Sequence, residues 1–418
     1  MIAEFKIRNF YSLKEEQTLS FIPTKDDTLE ENYTQEVADG VRLLKIASIY
    51  GSNASGKTNV LHALDFFARM MVETSLKKSD EMGVVPFLLD GVSETESTSF
   101  EMSFYLNREK YILSLSLDKK VIHNESLVVY ASAQPTMIYK RAYDAKGDVT
   151  VINFGAKSGL QKKSRETIEG NTISNRTVIA AFGMSNVKKT RLNLVYDFFS
   201  SRIAPAMLPT TSLLNYTKQN LRHSRSGKLK NFILRFLKAS DFNISDITLH
   251  DKEEIGAFSQ KTMAEKQELL FTHHTENGFK ALDESLESRG TKRYLGLATI
   301  LFDLLARGII LPIDEIESSI HYELLSYFIR VFLVNSKKQA QLLLTTHDIN
   351  LLDEDFTRRD TIWFTDKNES GETQLLRLSS LGLHKTISVY NAYKQEKLVN
   401  LPFTESIYFD NEWCEDQE

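Results

Sequence analysis

The spacing of apolar and polar residues changes several times along the chain, and each change marks an element. "IAEFKIRNF" alternates with period two, as a half-buried strand does, and "QTLSFIP" is spaced to pair with it. "RLLKIASIY" is a largely apolar run suited to one buried strand. "TNVLHALDFFARMMVET" takes helical spacing, with Val60, Leu61, Leu64, Phe67, Met70 and Met71 on or near one face. From Thr98 to Phe154 come five strand-like runs, "SFEMSFYL", "KYILSLSLD", "VIHNESLVVYA", "TMIYKRAY" and "DVTVINF". The turns between them are short and polar, which predicts an antiparallel sheet.

The stretch that follows reads as mainly helical, as in "RLNLVYDFFSSRI" and "GKLKNFILRFLKAS". "SRGTKRYLGLATILFDLLARG" predicts a further helix, "IILPIDE" a buried strand and "HYELLSYFIRVFLVN" a helix. "AQLLLTTHD" and "DTIWFTDK" predict two more strands. Buried strands alternating with helices at both ends of the chain predict a parallel α/β core, with the middle inserted into it. The boundaries fall at 1–155 for the first half of the core with its antiparallel lobe, 156–245 for the helical insertion, and 246–418 for the second half. No internal repeat or low-complexity tract interrupts them.

Charge separates the middle from the rest. The net charge is −5, yet Tyr139 to Ser240 holds 19 Lys and Arg against 5 Asp and Glu, a balance of +14, which leaves −19 for the remainder. A unit with its own polyanionic partner is expected there, either nucleic acid or an acidic protein. The runs "KSGLQKKSR" and "NLRHSRSGKLK" concentrate the charge, and Tyr216 and Phe232 are placed either to stack on bases or to fill a core. The single cysteine, Cys414, permits no internal disulfide and fits a reducing cytosol. The N-terminus lacks a signal-peptide core. The most apolar stretch, "YLGLATILFDLLARGIILPID", is broken by Asp303 and Arg307. A cytoplasmic protein with no membrane partner is therefore expected.

Chemistry concentrates at "YGSNASGKTN". Gly51, Ser52, Asn53, Ala54, Ser55, Gly56, Lys57 and Thr58 fit G-x-x-x-x-G-K-[ST] between an apolar strand and an amphipathic helix. Such a loop wraps phosphate with backbone N–H groups at a helix N-terminus. Lys57 can reach the β and γ phosphates of ATP, and Thr58 can place its hydroxyl on Mg²⁺. Hydrolysis further needs an acid for the metal and a base for water. "IILPIDEIE" offers Asp314 for the metal and Glu315 for the water at the end of a buried strand. "LLLTTHD" ends a third strand at His347, placed to sense the γ-phosphate. His273 and His274 in "FTHHTEN" lack partners at metal-ligand spacing and read as exposed loop residues, and the acidic tail "FDNEWCEDQE" as a solvated end.

The order of these parts resembles the ATP-binding-cassette class of ATPases, in its RecF, SMC and OLD branch. The likeness is carried by an opening strand such as "IAEFKIRNFYSLKEE", a phosphate loop soon after it, and a return to the core after an insertion. It implies a P-loop NTPase core of ABC type, with an antiparallel β lobe and an inserted, mainly helical basic lobe. "ESRGTKR" stands where the family signature stands, with Ser288, Gly290 and Thr291. In the family that signature completes the nucleotide site of the opposite subunit, which implies an ATP-joined homodimer or higher homo-oligomer. "IESSIHYEL" resembles the segment crossing that interface, with Ser318, Ser319 and His321.

Within the branch, "NFYSLKEEQTLSF", "IASIYGSNASGKTNVLHAL", "IDEIESSIHYELL" and "LLTTHDINLLDEDFTRRDTIWFTDKN" resemble the ATPase subunit of abortive-infection and restriction-linked defence systems, the AbiL/RloA-like proteins. These stretches span both ends, roughly half of the chain. They imply a sensor or regulatory ATPase that controls an effector in trans, a nuclease by analogy. Two departures stand out. Arg289 separates Ser288 from Gly290, and no Gln lies between Thr58 and Ala133, so the residue that replaces the family's Q-loop glutamine is unassigned. A RecF-like DNA-repair ATPase and a nucleotide-dependent scaffold with negligible turnover remain alternatives. A transporter subunit is disfavoured by the missing glutamine, the basic helical insertion and "EFKIRNFYSL".

Overall fold

A computed structural model describes residues 1–209, 211–224, 226–251, 267–384 and 386–399. Arg225, Cys414 and the acidic tail lie outside these described residues. The chain opens with β1 (Ile2–Arg8) and β2 (Gln17–Ser20), the short helix α1 (Glu30–Tyr33) and the hairpin β3 (Thr34–Ala38) and β4 (Val41–Leu44). Next come β5 (Ile46–Tyr50), α2 (Lys57–Met70) and the five strands β6 (Thr98–Leu106), β7 (Glu109–Leu117), β8 (Ile122–Tyr130), β9 (Thr136–Asp144) and β10 (Val149–Phe154). The helices α3 (Lys162–Asn171), α4 (Val178–Gly183), α5 (Arg191–Asp197), α6 (Leu213–His223) and α7 (Lys228–Ala239) make up the middle. The strands β11 (Asp246–Asp251), β12 (Gln267–Thr275) and β13 (Gly278–Asp283) follow, then α8 (Arg289–Arg307), β14 (Ile310–Ile313), α9 (Tyr322–Asn335) and β15 (Gln341–Thr345). The last elements are β16 (Ile362–Lys367), β17 (Thr373–Arg377) and α10 (Val389–Lys394).

Two main sheets organise the molecule. The antiparallel sheet runs β10-β9-β8-β7-β6-β1-β2, so the period-two segments at the start and in the 98–154 region share one surface. Register explains the alternation: Phe5 faces Met102 on the buried side, and Lys6 faces Glu101 on the outer side, where they form a 3.1 Å ion pair. The core sheet runs β14-β15-β5-β16-β17 and is parallel except for β17. Helix α2 covers it with the face anticipated from its spacing. Val60, Leu61, Leu64, Phe67, Met70 and Met71 are each at most 1% exposed, and burial of one such side chain stabilises by about 1.5–3 kcal/mol. Buried Gln341 ties the sheets together. Its amide nitrogen donates to the carbonyl of Ile2 at 2.8 Å, and its oxygen accepts from the Ile2 N–H at 2.6 Å.

Two expectations need correction, and one open alternative is settled. "RLLKIASIY" is not one strand: it breaks at Lys45 into β4, paired with β3, and β5, paired with β15 and β16. Lys45 is buried beneath α9, where its ammonium donates to the carbonyl of Leu333 at 3.4 Å; burial holds its pKa below the ordinary value. His273 and His274 are not in a loop but on β12, where His273 Nε2 meets Glu287 Oε1 at 2.6 Å. Of the two roles left open for Tyr216 and Phe232, the structure gives the core. The Tyr216 hydroxyl donates to Asp303 on α8 at 2.5 Å, and Phe232 packs edge-on against Phe302 at 5.5 Å. Helix α6 approaches α8 so closely that a Cβ on Gly296 would lie 2.3 Å from that of Leu213.

The positive charge of the middle divides as well. Arg141 is fully buried and donates to the carbonyls of Ile122, Ile173 and Ser174, with Glu125 and Tyr139 beside it. Arg176 donates to the carbonyls of Asn171, Thr74 and Leu76, Arg202 to those of Gly308 and Gln339, and Lys218 pairs with Glu284. Lys230 pairs with Asp246 at 2.7 Å. These cations act within the fold, tying the middle to the antiparallel sheet and to both halves of the core.

Candidate functional site

The loop 51–56 leaves the central strand β5 and enters α2, with β16 and β17 as its wall. Gly51 has φ 157°, and a Cβ there would lie 2.4 Å from Thr365 Oγ1 and 2.7 Å from the Thr365 carbonyl oxygen. Gly56 has φ 102°, and a Cβ would lie 2.2 Å from Thr373 Oγ1. Only glycine tolerates both the conformation and the contact. Ala54 also sits left-handed, at φ 61°, on an exposed crest with Asn53. The hydroxyls of Ser55 and Thr365 are 2.6 Å apart, and Thr373 Oγ1 donates to the Ser55 carbonyl at 2.8 Å. Ser12, in the turn after β1, accepts from Asn59 at 2.6 Å, and its hydroxyl lies 2.7 Å from that of Thr373. The protein's own side chains thus fix the shape of the loop.

Lys57 is buried in it. Its ammonium donates to the carbonyls of Gly51 and Ser52, each at 2.9 Å. Burial pushes its pKa below the ordinary value, against the attraction of Asp314, Glu315 and Glu317. A buried cation held only by carbonyls is suited to an anion such as phosphate.

The carboxylates arrive from β14, two strands away. Thr58 Oγ1 donates to Asp314 Oδ2 at 3.0 Å. Between them in the sheet, β15 ends at Thr345, whose hydroxyl donates to Asp314 Oδ1 at 2.5 Å and accepts from the Glu315 N–H at 2.9 Å. Asp314 and Thr345 are both buried. Glu315 holds φ 43°, a conformation that costs a non-glycine residue about 1–3 kcal/mol. That turn keeps its half-exposed carboxylate at the mouth, where Oε1 lies 3.9 Å from His347 Nε2. A hydroxyl and a carboxylate oxygen 3.0 Å apart beside a phosphate-type loop match the hard-oxygen donor set of Mg²⁺, so Thr58 and Asp314 fit the ion, and the loop fits a nucleotide triphosphate.

Ser288, Gly290 and Thr291 lie at the start of α8. Ser288 caps α8 by accepting the Thr291 N–H at 3.0 Å, and the two hydroxyls are 2.8 Å apart. A Cβ on Gly290 would lie 3.0 Å from the carbonyl of Ser319, which is itself left-handed at φ 63°. Among the described residues no hydrogen bond joins 288–291 to the loop 51–58. Sequence reading missed Ser12, Thr345, Thr365, Thr373, Arg293 and Glu317. The threonines were readable as strand formers only, and "IESSIHYEL" only as a segment crossing an interface.

A parallel sheet with this glycine loop after its central strand, and an acidic strand end beside it, is a P-loop ATPase core. Residues 46–353 match the family described as "AAA domain, putative AbiEii toxin, Type IV TA system", and the chain belongs to that family. The matched range includes the loop, Ser288 to Thr291, Asp314, Glu315 and His347. No curated protein matches the chain. Among solved structures, the SMC head domain from Thermotoga maritima is 12% identical, with 90% of this chain and 98% of that one covered at a TM-score of 0.43. The SmcHead bound to the C-winged helix domain of ScpA is 12% identical, with 91% and 99% covered at 0.43. No helix among the described residues is long and apolar enough to cross a membrane.

Proposed function

We propose that the chain hydrolyses ATP to ADP and phosphate, dimerises on ATP, and acts in the cytoplasm as the sensor of a defence system that controls an effector in trans. The chain of contacts from Thr58 through Asp314 and Thr345 to Glu315, beside buried Lys57, carries this reading. Lys57 exchanges its two carbonyl partners for the terminal phosphates. Thr58 and Asp314 would hold Mg²⁺, which neutralises phosphate charge when bound. Glu315 accepts a proton from water as the water oxygen bonds to the γ-phosphorus. The bond to the bridging oxygen breaks, and ADP leaves with its electron pair. His347 faces the same point and contacts the γ-phosphate. The start of α8, with Ser288, Gly290 and Thr291 making no hydrogen bond to residues 51–58 among the described residues, is free for a site completed by a second copy. The matched family's description, a putative toxin of a type IV toxin–antitoxin system, supports the defence context.

The test is steady-state turnover with separately measured ATP binding. Glu315→Gln is expected to bind ATP within about twofold of wild type and lose about 10²–10⁴ in kcat. Lys57→Ala is expected to lose binding. Wild-type turnover by Glu315→Gln refutes the assignment.

A nucleic-acid partner for the basic lobe is a second reading, favoured by one groove. Lys157, Lys188 and Lys189 line a cavity of about 340 Å³ with Gln161 and Thr190, and exposed Lys162 and Lys163 stand beside it. Among the described residues, Lys157, Lys163, Lys188 and Lys189 have no carboxylate within ion-pair distance, unlike Arg191, held by Glu109 at 2.8 Å. Uncompensated cations from three segments around one groove suit a phosphodiester backbone.

A further inference from the structure

Glu317 lies two residues beyond Glu315, on the turn from β14 to α9, and its two oxygens differ. Oε1 accepts the backbone N–H of His347 at 2.7 Å. Oε2 is shut off from solvent and has no hydrogen-bond partner. Arg293 lies on α8, one turn past Gly290. Its Nη2 donates to the carbonyl of Glu315 at 3.3 Å, while its Nε is also buried without a partner. Burial holds the Arg293 pKa below its ordinary value, against the attraction first of Glu317 and then of Glu315. The two side chains attract one another yet stop short of an ion pair. A buried guanidinium N–H and a buried carboxylate oxygen each supply what the other lacks, so leaving both unmatched is costly.

The groups facing this pair come from every element around it. Lys57 at the start of α2 feels Glu317 as it does Asp314 and Glu315. The N–H of His347 follows β15, and the Ser319 carbonyl abuts Gly290. Arg293 therefore touches the backbone of the proposed base, and Glu317 the backbone of the proposed γ-phosphate sensor. One is carried by the helix that starts at Ser288, the other by the strand end that carries Asp314.

We propose that Arg293 and Glu317 are positioning residues that close on one another when ATP loads the site, so that helix α8 sets the backbone of Glu315 and the loop of His347. This rests on Glu315 being the base. Closure pulls α8 toward the end of β14 and fixes both groups together. Loss of either partner should therefore slow the chemical step while nucleotide still binds.

A double-mutant cycle tests it. Glu317→Gln keeps an oxygen for the His347 N–H and removes the charge, while Arg293→Lys keeps the charge and removes Nε. Each is expected to lower kcat about tenfold with the KM for ATP within about twofold, and the double variant to be no slower than the slower single. Losses that multiply in the double variant, with Glu315→Gln inactive, overturn the pair and leave the base standing. Wild-type turnover by Glu315→Gln overturns the base and this inference with it. Hydrogen exchange gives a readout independent of turnover. A non-hydrolysable ATP analogue is expected to protect peptides covering 289–297 and 314–320 in wild type but not in Arg293→Lys. Equal protection in both refutes closure.

Discussion

Thr345→Val removes one hydroxyl, nearly preserves shape, and strikes the centre of the proposed site. Thr345 is fully buried, and its hydroxyl makes two bonds that hold different residues. The bond to Asp314 Oδ1 engages a buried carboxylate and is of the stronger, charge-assisted kind, about 1.5–3 kcal/mol. The bond from the Glu315 N–H is only part-buried, and water can replace some of it, so its loss costs about 1 kcal/mol. Their sum is about 3 kcal/mol of native stability, which in a chain of this size lowers the melting temperature by about 3 °C. Turnover should fall further than stability implies. Asp314 loses one of its two hydroxyl donors, and Glu315, strained at φ 43°, loses the contact that holds its backbone. A displacement near 1 Å costs about 10²-fold, so kcat is expected to drop about 10- to 100-fold. Thr345→Ser keeps the hydroxyl and should retain most activity. Malachite-green phosphate release and scanning fluorimetry on the same preparations decide it. Wild-type turnover by Thr345→Val, or equal losses in the Ser and Val variants, would refute the reasoning.

Further expectations follow from the remaining parts of the site. Gly290→Asp, next to the Ser319 carbonyl, should abolish turnover as a homodimer, and mixing it with Lys57→Ala should restore about one working site per mixed dimer; no recovery at any mixing ratio argues against a site completed in trans. Reversing Lys157, Lys162, Lys163, Lys188 and Lys189 to Glu should abolish oligonucleotide binding and leave ATP turnover intact. The wild-type salt slope should be about −3 to −5, and an affinity that is flat with salt, or unchanged by the reversal, refutes nucleic acid at this groove, with tight salt-tolerant binding to an acidic protein as the competing outcome.

The legible parts of the sequence were those whose information is local. The glycine loop, the acidic pair after "IILPI" and the helical face of α2 each fit within one short window, where spacing alone defines the pattern. The period-two runs gave the antiparallel sheet for the same reason. Long-range assembly was hidden. Nothing near Thr365 or Thr373 marks either as a wall of the loop, because their roles exist only once β16 and β17 flank β5. Lys45 breaks a run that hydrophobicity alone reads as continuous. The strands β11 to β13 escaped because their polar residues suit a loop as well as a small three-stranded sheet, in which Ile247, Leu269 and Phe271 are buried and β13 is mostly exposed. The charge count of the middle misled in a different way. It weighed Arg141, fully buried, equally with Lys188, fully available, and only burial separates a cation that binds its own fold from one that can bind a partner.

The central claim is that Glu315 ends an ATP-bound state that two copies share. Sedimentation velocity of Glu315→Gln with ATP and Mg²⁺ tests it most directly. A stable dimer with ATP, and monomers with ADP or after adding Lys57→Ala to the same chain, is the expected result. Monomers under all three conditions, at protein concentrations where ATP binding is complete, would contradict it.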